Sequence, residues 1–171
     1  MGLMLGQMLK KADPDFQTSS AVKMDERRYE ALKLENQLCF PLYACSREVI
    51  KQYKPYLDAL DLTYTQYIAM MILWEKQSVN VKELGQALYL DSGTLTPLLK
   101  KLESKGYLTR TRSSADERNL IISLTDDGMV LREKAVNIPQ QMAQCISLAP
   151  QEAAQLYQLL YKLLGHPQNK R

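Results

Sequence analysis

The chain has 171 residues, of which 46% are hydrophobic and 24% are charged, with seven glycines and seven prolines. This size and composition are typical of one globular domain and exclude a fibrous or largely disordered chain. Three cysteines are too few for a disulfide framework, no apolar run approaches the ~20 residues that span a bilayer, and the opening residues lack the order of a signal peptide. We therefore expect a cytoplasmic protein that does not associate with a membrane.

The net charge of +3 is concentrated in one segment of the chain. Residues 92–119 contain six Lys or Arg and three Asp or Glu, whereas the remainder of the chain contains 16 of each kind. A local excess of this sort favours a surface that faces an anion such as a nucleic-acid backbone, with a solvated basic face as the alternative.

The first third of the chain contains a predicted tail and a helical region. Residues 1–23 lack a sustained periodicity and are predicted to be an N-terminal tail. From Met24 to Leu57 apolar residues recur at helical spacing, and Pro41 interrupts the run. The sequence therefore predicts either a kinked helix or a new helix that begins with Pro41 in its first turn.

Three more helices are predicted in the middle of the chain. The first two cover 63–76 and 81–88, and Asn80 is positioned to cap the second. The segment DSGTLTPLLKKLESKGYL predicts the third, with Asp91 or Thr94 as its cap. The predicted inner faces of the first and third contain Ile68, Ile72, Leu73, Leu95, Leu98, Leu99 and Leu102.

A hairpin and two helices follow. Residues 107–112 and 119–124 have the pattern of strands, and the polar segment between them predicts a hairpin tip. Thr125 is positioned to cap a long fifth helix, and Ala149-Pro150 opens a sixth with a leucine stripe at helical spacing. Such a stripe usually packs into a hydrophobic core. Here the apolar faces of the helices at the two ends of the chain are larger than a small winged domain could bury. Part of this surface is therefore predicted to form a subunit interface.

The order helix, turn, helix, basic hairpin describes a winged helix-turn-helix, a mainly α fold with a small β-hairpin wing. Small polar residues at the start of the second helix can enter the major groove, and two lysines that follow them can contact phosphates. These residues are Ser92, Gly93, Thr94, Thr96, Lys100 and Lys101. At the hairpin tip, Arg118 is predicted to enter the minor groove and Asp116 to orient it, with a solvated loop cation as the alternative.

The segment VNVKELGQALYLDSGTLTPLLKKLESKGYLTRTRSSADERNLIISLTDDG closely resembles the DNA-binding core of MarR-type regulators, with Asp116-Glu117-Arg118 as the D-x-R wing. The resemblance covers about residues 32–165. It implies a dimeric MarR-type fold that binds double-stranded DNA at a pseudo-palindromic operator. The implied domain is 24–171, with dimerisation regions at 24–58 and 125–165 and the winged helix-turn-helix at 63–124.

The segment LENQLCFPLYACSREVIKQYKPYLDALDLTYTQY resembles the organic-hydroperoxide-sensing branch of that family. The resemblance implies that Cys39 is the peroxide-reactive thiol and that Tyr53 and Tyr64 hydrogen-bond its sulfur across the dimer, with Tyr43 nearby. Some members use a second cysteine where Cys145 lies, which makes Cys145 a possible resolving thiol. A buried structural role is the alternative for each of these cysteines.

The remaining cysteine and the lone histidine carry no predicted chemistry. Cys45 is six residues beyond Cys39, a helical spacing that disfavours a disulfide unless Pro41 distorts the helix, and it is predicted to be a packing residue. His166 has no neighbouring carboxylate or second ligand, so we predict no metal, no cofactor and no enzymatic activity.

The sequence predicts a repressor that releases its operator when Cys39 is oxidised by an organic hydroperoxide. Two alternatives stay open. One is a MarR-type regulator released by a noncovalent phenolic or drug-like ligand. The other is a thiol peroxidase, since sensing by sulfur oxidation is half of a peroxidatic cycle.

Overall fold

The structure is a computed structural model and describes residues 29–113 and 119–165. The chain divides into two compact units, Met1–Val49 and Ile50–Arg171. The elements of the described part are α1 Cys39–Asp58, α2 Tyr64–Lys76, β1 Ser78–Asn80, α3 Val81–Leu88, α4 Ser92–Ser104, β2 Leu108–Arg112, β3 Leu120–Leu124, α5 Asp126–Ala135, α6 Ile138–Cys145 and α7 Pro150–Leu163. The predicted mainly helical fold with a small sheet is confirmed.

Helix α1 begins at Cys39, and Pro41 lies in its first turn. Before it, a single turn of 3-10 helix covers Leu34–Asn36 and separates α1 from the preceding residues. A proline in the first turn of a helix costs little, because its missing N–H has no partner there in any case. Of the two predicted arrangements, a new helix at Pro41 is therefore the one that forms.

The sheet has three antiparallel strands in the order β1-β3-β2. The two predicted strands pair from Leu108↔Leu124 to Arg112↔Leu120. Strand β1 pairs with β3 at Ser78↔Ser123 and was not predicted, because three residues are too few to show an alternating pattern.

Side chains cap four of the helices. Thr63 and Gln66 form a reciprocal capping box at α2, while Asn80 caps α3 and Thr125 caps α5. At α4 the cap is Asp91, one of the two predicted alternatives, because its carboxylate accepts a hydrogen bond from the Thr94 amide at 2.9 Å. These caps set where each helix of the helix-turn-helix begins.

The core of the second unit is built around α2 and α4. All four predicted leucines of α4 are buried. In α2 Leu73 is buried, but Ile68 and Ile72 are only partly covered, and the other buried positions differ from the prediction. Helix α2 packs against α3, α4, α5 and the sheet, so neighbours cover it from several sides rather than along one face. The buried residues of α2 are Gln66, Tyr67, Ala69, Met70, Leu73 and Trp74.

The predicted long fifth helix is wrong, because the chain forms two helices there. Helix α5 ends at Ala135 and α6 begins at Ile138, with Pro139 in its first turn. Pro139 has no N–H to donate to the Ala135 carbonyl, which breaks the helical hydrogen-bond ladder.

Helix α7 has the predicted start but buries none of its residues, so its leucine stripe is not part of the core of the single chain. Within the described residues, no helix is long and apolar enough to cross a bilayer.

Candidate functional site

The first turns of α4 present an exposed polar face. Ser92, Thr96 and Lys100 follow each other at intervals of four residues, which places them on one side of the helix, and all three are exposed. Gly93 and Lys101 are exposed beside them. This polar face, Ser92–Thr96–Lys100, runs beside the buried leucines of α4 and is exposed.

Thr94, another of the predicted DNA-contacting residues, makes hydrogen bonds within the start of α4. Its amide and its hydroxyl both donate to the Asp91 carboxylate, at 2.9 and 3.2 Å. These hydrogen bonds lower the pKa of Asp91, so the cap is ionised at neutral pH. The Thr94 polar groups therefore help to hold the start of α4 in place, and its contact with DNA stays a prediction.

Two cations of the basic segment are already paired with carboxylates. Arg110 on β2 forms an ion pair with Glu103 on α4, with 2.6 Å between its Nη2 and Oε2. Lys105, just after α4, forms an ion pair with Asp61 in the turn between α1 and α2, with 2.8 Å between Nζ and Oδ2. The charge excess of the sequence thus overstates the cations available to an anionic partner. Arg112, at the end of β2, is exposed.

The Lys105–Asp61 pair contributes to stability in a pH-dependent way. The hydrogen bond from Lys105, and then its charge, lower the pKa of Asp61. A lowered pKa means that the stabilisation is present above the ordinary pKa of Asp and is lost as the pH falls through the lowered value. The Lys105 side chain is only 16% exposed, so removal of Asp61 leaves an ammonium group in a largely covered position.

We expect Asp61→Asn to lower the thermal unfolding midpoint at pH 7 and to flatten its dependence on pH in the acid range. Asp58→Asn is the matched control, because Asp58 pairs with Lys54 at 2.7 Å but both side chains are more than half exposed. Equal midpoints for the two variants across the acid range would contradict this assignment.

The predicted wing residues Asp116 and Arg118 lie outside the described residues. The two strands that lead to them are described, and Ser113 and Asn119 join these strands through a backbone hydrogen bond of 2.8 Å. The hairpin that carries the predicted tip is therefore present.

Cys39 is exposed and is the first residue of α1. Tyr43 lies one turn further along this helix and Arg47 one turn beyond that. The Arg47 guanidinium donates to the Tyr43 hydroxyl at 2.9 Å, and its Cζ lies 5.5 Å from the centre of the Tyr43 ring. These contacts link Arg47 to the tyrosine that lies one turn from Cys39.

Tyr53 and Tyr64 form an aromatic cluster with a third tyrosine, Tyr67. The ring centres of Tyr53 and Tyr64 are 5.0 Å apart, and those of Tyr53 and Tyr67 are 5.9 Å apart. Burial raises the pKa of Tyr53 and of Tyr64, and it raises the pKa of Tyr67 to about 12. All three phenols are therefore protonated at neutral pH and can act as hydrogen-bond donors.

Sequence reasoning missed the continuation of this cluster. Tyr67 contacts Trp74 edge-on, with ring centres 6.0 Å apart, and the Trp74 indole N–H donates to the Gly128 carbonyl at 2.8 Å. Tyr67 follows Tyr64 by three residues on one helix, so helical spacing was the available signal for it. No local signal links Trp74 to Gly128, because 54 residues separate them.

The other two cysteines are also exposed. Cys145 ends α6, and its Sγ lies 3.5 Å from the Gln141 carbonyl oxygen one turn earlier. Cys45 is exposed as well, so the described residues do not provide the packing that was predicted for it. His166 lies outside the described residues, and the described ones include no cluster of three His, Cys, Asp or Glu side chains fit to hold a metal ion.

Comparison with known proteins places this chain in a family. Residues 51–135 match the transcriptional regulator SarA/Rot family. Over 139 residues the chain is 53% identical to the organic hydroperoxide resistance transcriptional regulator of Bacillus subtilis, covering 81% of this chain and 95% of that protein. This chain belongs to the MarR family of transcriptional regulators. The predicted family and its hydroperoxide branch are both confirmed.

Solved structures agree with the regulator's fold. Reduced AbfR bound to DNA matches with a TM-score of 0.68 and 35% identity, over 82% of this chain and 98% of that one. AbfR in a disulfide form matches with a TM-score of 0.56 and 36% identity, over 85% and 98% of the two chains. A cysteine-to-serine mutant of MarR from E. coli in complex with operator DNA matches with a TM-score of 0.63 and 26% identity, over 72% and 90%. The predicted winged-helix fold is confirmed.

Proposed function

We propose that this regulator is a homodimeric repressor of the cytoplasm that binds a pseudo-palindromic double-stranded DNA operator and releases it when an organic hydroperoxide oxidises Cys39. The observation that carries the proposal is the exposed Cys39 at the start of α1, next to the Tyr43–Arg47 pair, in a chain 53% identical to an organic hydroperoxide resistance regulator. Oxidation of the sulfur is stoichiometric here, so the protein acts as a sensor rather than as an enzyme.

The polar face of α4 is the proposed DNA-reading surface. Ser92, Gly93 and Thr96 are small enough to let the helix approach base edges in the major groove, and Lys100 and Lys101 supply charge to the flanking phosphates. Asp116 and Arg118 extend the surface into the minor groove in this proposal. Support comes from AbfR, 35% identical, which has been solved on DNA.

We expect replacement of Lys100 by methionine to weaken DNA binding about equally for all sequences. The slope of log affinity against log salt concentration is expected to fall by about one, because one phosphate is no longer neutralised by this lysine. The measurement is fluorescence anisotropy of a labelled duplex over a salt series, and Lys134→Met on α5 is the control for removal of an exposed lysine. An unchanged slope would place Lys100 away from the phosphates.

The apolar faces at the ends of the chain are the proposed dimer interface. Near the start of α1 Leu38, Phe40 and Leu42 are exposed, and no residue of α7 is buried. On α7 the exposed apolar side chains are Leu156, Tyr157, Leu159, Leu160, Tyr161 and Leu163. Leaving two such faces in water is unfavourable at roughly 25 cal/mol per Å², so a second copy of the chain is the occupant that we propose.

The sensing chemistry is an oxygen transfer to sulfur. The Cys39 thiolate attacks the terminal peroxide oxygen, an S–O bond forms as the O–O bond breaks, and the alkoxide leaves and takes up a proton as an alcohol. The sulfur is oxidised to sulfenic acid while the peroxide is reduced. The exposed side chains of Phe40 and Leu42 beside Cys39 favour an apolar organic peroxide over hydrogen peroxide.

In this proposal Tyr53 and Tyr64 of one subunit donate hydrogen bonds to the Cys39 sulfur of the other. Their raised pKa values support the role, because a donor must keep its proton next to an anion. Cys39 and Tyr53 are 14 residues apart in one helix, whereas helical neighbours are three or four apart, so we propose that the contact forms across the dimer, as the resemblance implies. Tyr43 is the tyrosine closest in sequence to Cys39.

We expect Tyr53→Phe and Tyr64→Phe to leave DNA binding by the reduced protein intact and to slow the response to peroxide roughly tenfold, since each change removes one charge-assisted hydrogen bond and little volume. The rate of Cys39 oxidation is followed with a sulfenic-acid label. Tyr56→Phe, one turn along α1 from Tyr53, is the control. If both variants oxidise at the parental rate, the tyrosines have no role at the sulfur.

The two alternative functions give different experimental outcomes. A noncovalent phenolic ligand would release DNA from Cys39→Ser as readily as from the parent protein, whereas a hydroperoxide that acts through sulfur would not. A thiol peroxidase would consume many equivalents of peroxide in the presence of a thiol reductant, whereas a sensor needs one equivalent per Cys39. Anisotropy of bound DNA and peroxide consumption measure these two differences directly.

A further inference from the structure

Glu103 has an unexpected position for an acidic residue of a DNA-reading helix. Glu103 follows Lys100 by three residues and Thr96 by seven, so it lies at the C-terminal end of the polar face of α4. An unpaired carboxylate there would repel the phosphates that the lysines attract. The hydrogen-bond partners of Glu103 indicate what offsets this cost.

Glu103 binds both the side chain and the backbone of Arg110. Its Oε2 accepts hydrogen bonds from Arg110 Nε at 2.8 Å and Nη2 at 2.6 Å, and its Oε1 accepts from the Arg110 backbone amide at 3.2 Å. The Arg110 side chain is only 20% exposed and that of Glu103 is 36% exposed. Three hydrogen bonds of this kind fix the strand itself relative to the helix, since one of them is made to the backbone.

Strand β2 carries three residues of graded exposure on one face. Leu108 is buried in the core, Arg110 is paired with Glu103, and Arg112 is exposed at the end of the strand. The Glu103–Arg110 pair therefore lies between the core residue of the strand and its exposed basic end. It is positioned to control the distance between Arg112 and the polar face of α4.

We infer that Glu103 is a positioning residue for DNA recognition, which holds strand β2 and its exposed Arg112 in register with the Ser92–Thr96–Lys100 face so that both meet one operator. This inference rests on the proposed function. In this role the Glu103 carboxylate on α4 favours binding of one operator sequence, although its negative charge disfavours binding of DNA in general. Loss of the Glu103 charge is therefore expected to weaken binding of the selected operator and not to weaken nonspecific binding.

The experiment uses the full reduced chain and two labelled duplexes. One is selected from a random-sequence pool by the parent protein, and the other is a scrambled duplex of the same length and base composition. We expect Glu103→Gln to weaken binding of the selected duplex roughly tenfold and to bind the scrambled duplex as tightly as the parent or more tightly. Glu83→Gln, an exposed glutamate of α3, is the control for the removal of one negative charge and is expected not to weaken either complex.

A second variant keeps the test decisive if Glu103→Gln folds poorly. Glu103→Asp retains the charge but shortens the side chain by one methylene, so a positioning role predicts weaker binding of the selected duplex, whereas a pure charge effect predicts no change. Thermal unfolding checks that each variant is folded. The inference is overturned if Glu103→Gln binds the selected duplex as tightly as Glu83→Gln does. A parent protein that selects no duplex overturns the proposed function itself.

Discussion

Replacement of Gly128 by alanine is expected to destabilise the regulator by about 3 kcal/mol, which lowers the unfolding midpoint of a chain of this size by about 10 °C. A Cβ at this position would lie 2.3 Å from the Tyr107 carbonyl oxygen and 2.6 Å from Leu124 Cδ1. The first of these atoms belongs to the backbone, so no side-chain rotation relieves the overlap. Gly128 also accepts the Trp74 indole hydrogen bond, so a shift of this segment would disturb the core as well.

Thermal unfolding followed by fluorescence of the single tryptophan measures this effect. Gly93→Ala is the matched control, because the nearest atom to its added Cβ is the Asp91 Oδ1 at 3.0 Å, which needs to move by only a few tenths of an ångström within the α4 cap. Gly93→Ala is therefore expected to change the midpoint much less. Similar midpoints for Gly128→Ala and the parent would mean that the first turn of α5 is packed less closely against Tyr107 and Leu124 than the structure describes.

The second large effect is expected when peroxide links two subunits through a disulfide bond. One equivalent of organic hydroperoxide is expected to convert the parent to a covalent dimer on non-reducing gels, and dithiothreitol is expected to reverse it. In the proposed step the Cys145 thiolate attacks the sulfenic acid sulfur of the partner chain, an S–S bond forms as the S–O bond breaks, and the hydroxide that leaves takes up a proton from solvent as water. Cys145 is exposed at the end of α6, and AbfR, 36% identical, has been solved in a disulfide form.

Single substitutions distinguish the roles of the three cysteines in forming the covalent dimer. Cys39→Ser and Cys145→Ser are each expected to abolish the covalent dimer, whereas Cys45→Ser is expected to form it as the parent does, although Cys45 is also exposed. A Cys145→Ser protein that still forms the dimer, or a parent that never forms it, would make Cys39 a sensor that works without a resolving cysteine.

Local rules were sufficient to predict most of the elements of the second unit. The caps Asn80 and Thr125 and the four leucines of α4 lie where short-range spacing places them, because caps and amphipathic faces depend on residues within two turns. The break between α5 and α6 was predictable from Pro139 by the same rule that was applied to Pro41, but it was missed.

The interactions that organise the candidate sites were not predictable in this way. Lys105 meets Asp61 across 44 residues of sequence, and Trp74 meets Gly128 across 54. Such pairs form because the fold brings distant elements together, and no local spacing encodes them. For the same reason, Arg110 was counted among the cations of the predicted basic surface, whereas in the fold it forms an ion pair with Glu103.

The most direct measurement is an operator-binding titration with and without cumene hydroperoxide, carried out in parallel on the parent protein and on Cys39→Ser. The probe is a labelled duplex selected from a random-sequence pool by the reduced parent. We expect both reduced proteins to bind it, the oxidised parent to lose binding at one equivalent of peroxide, and Cys39→Ser to bind throughout. Release of the duplex from Cys39→Ser by the same peroxide, or retention of it by the fully oxidised parent, would contradict oxidation of Cys39 as the signal.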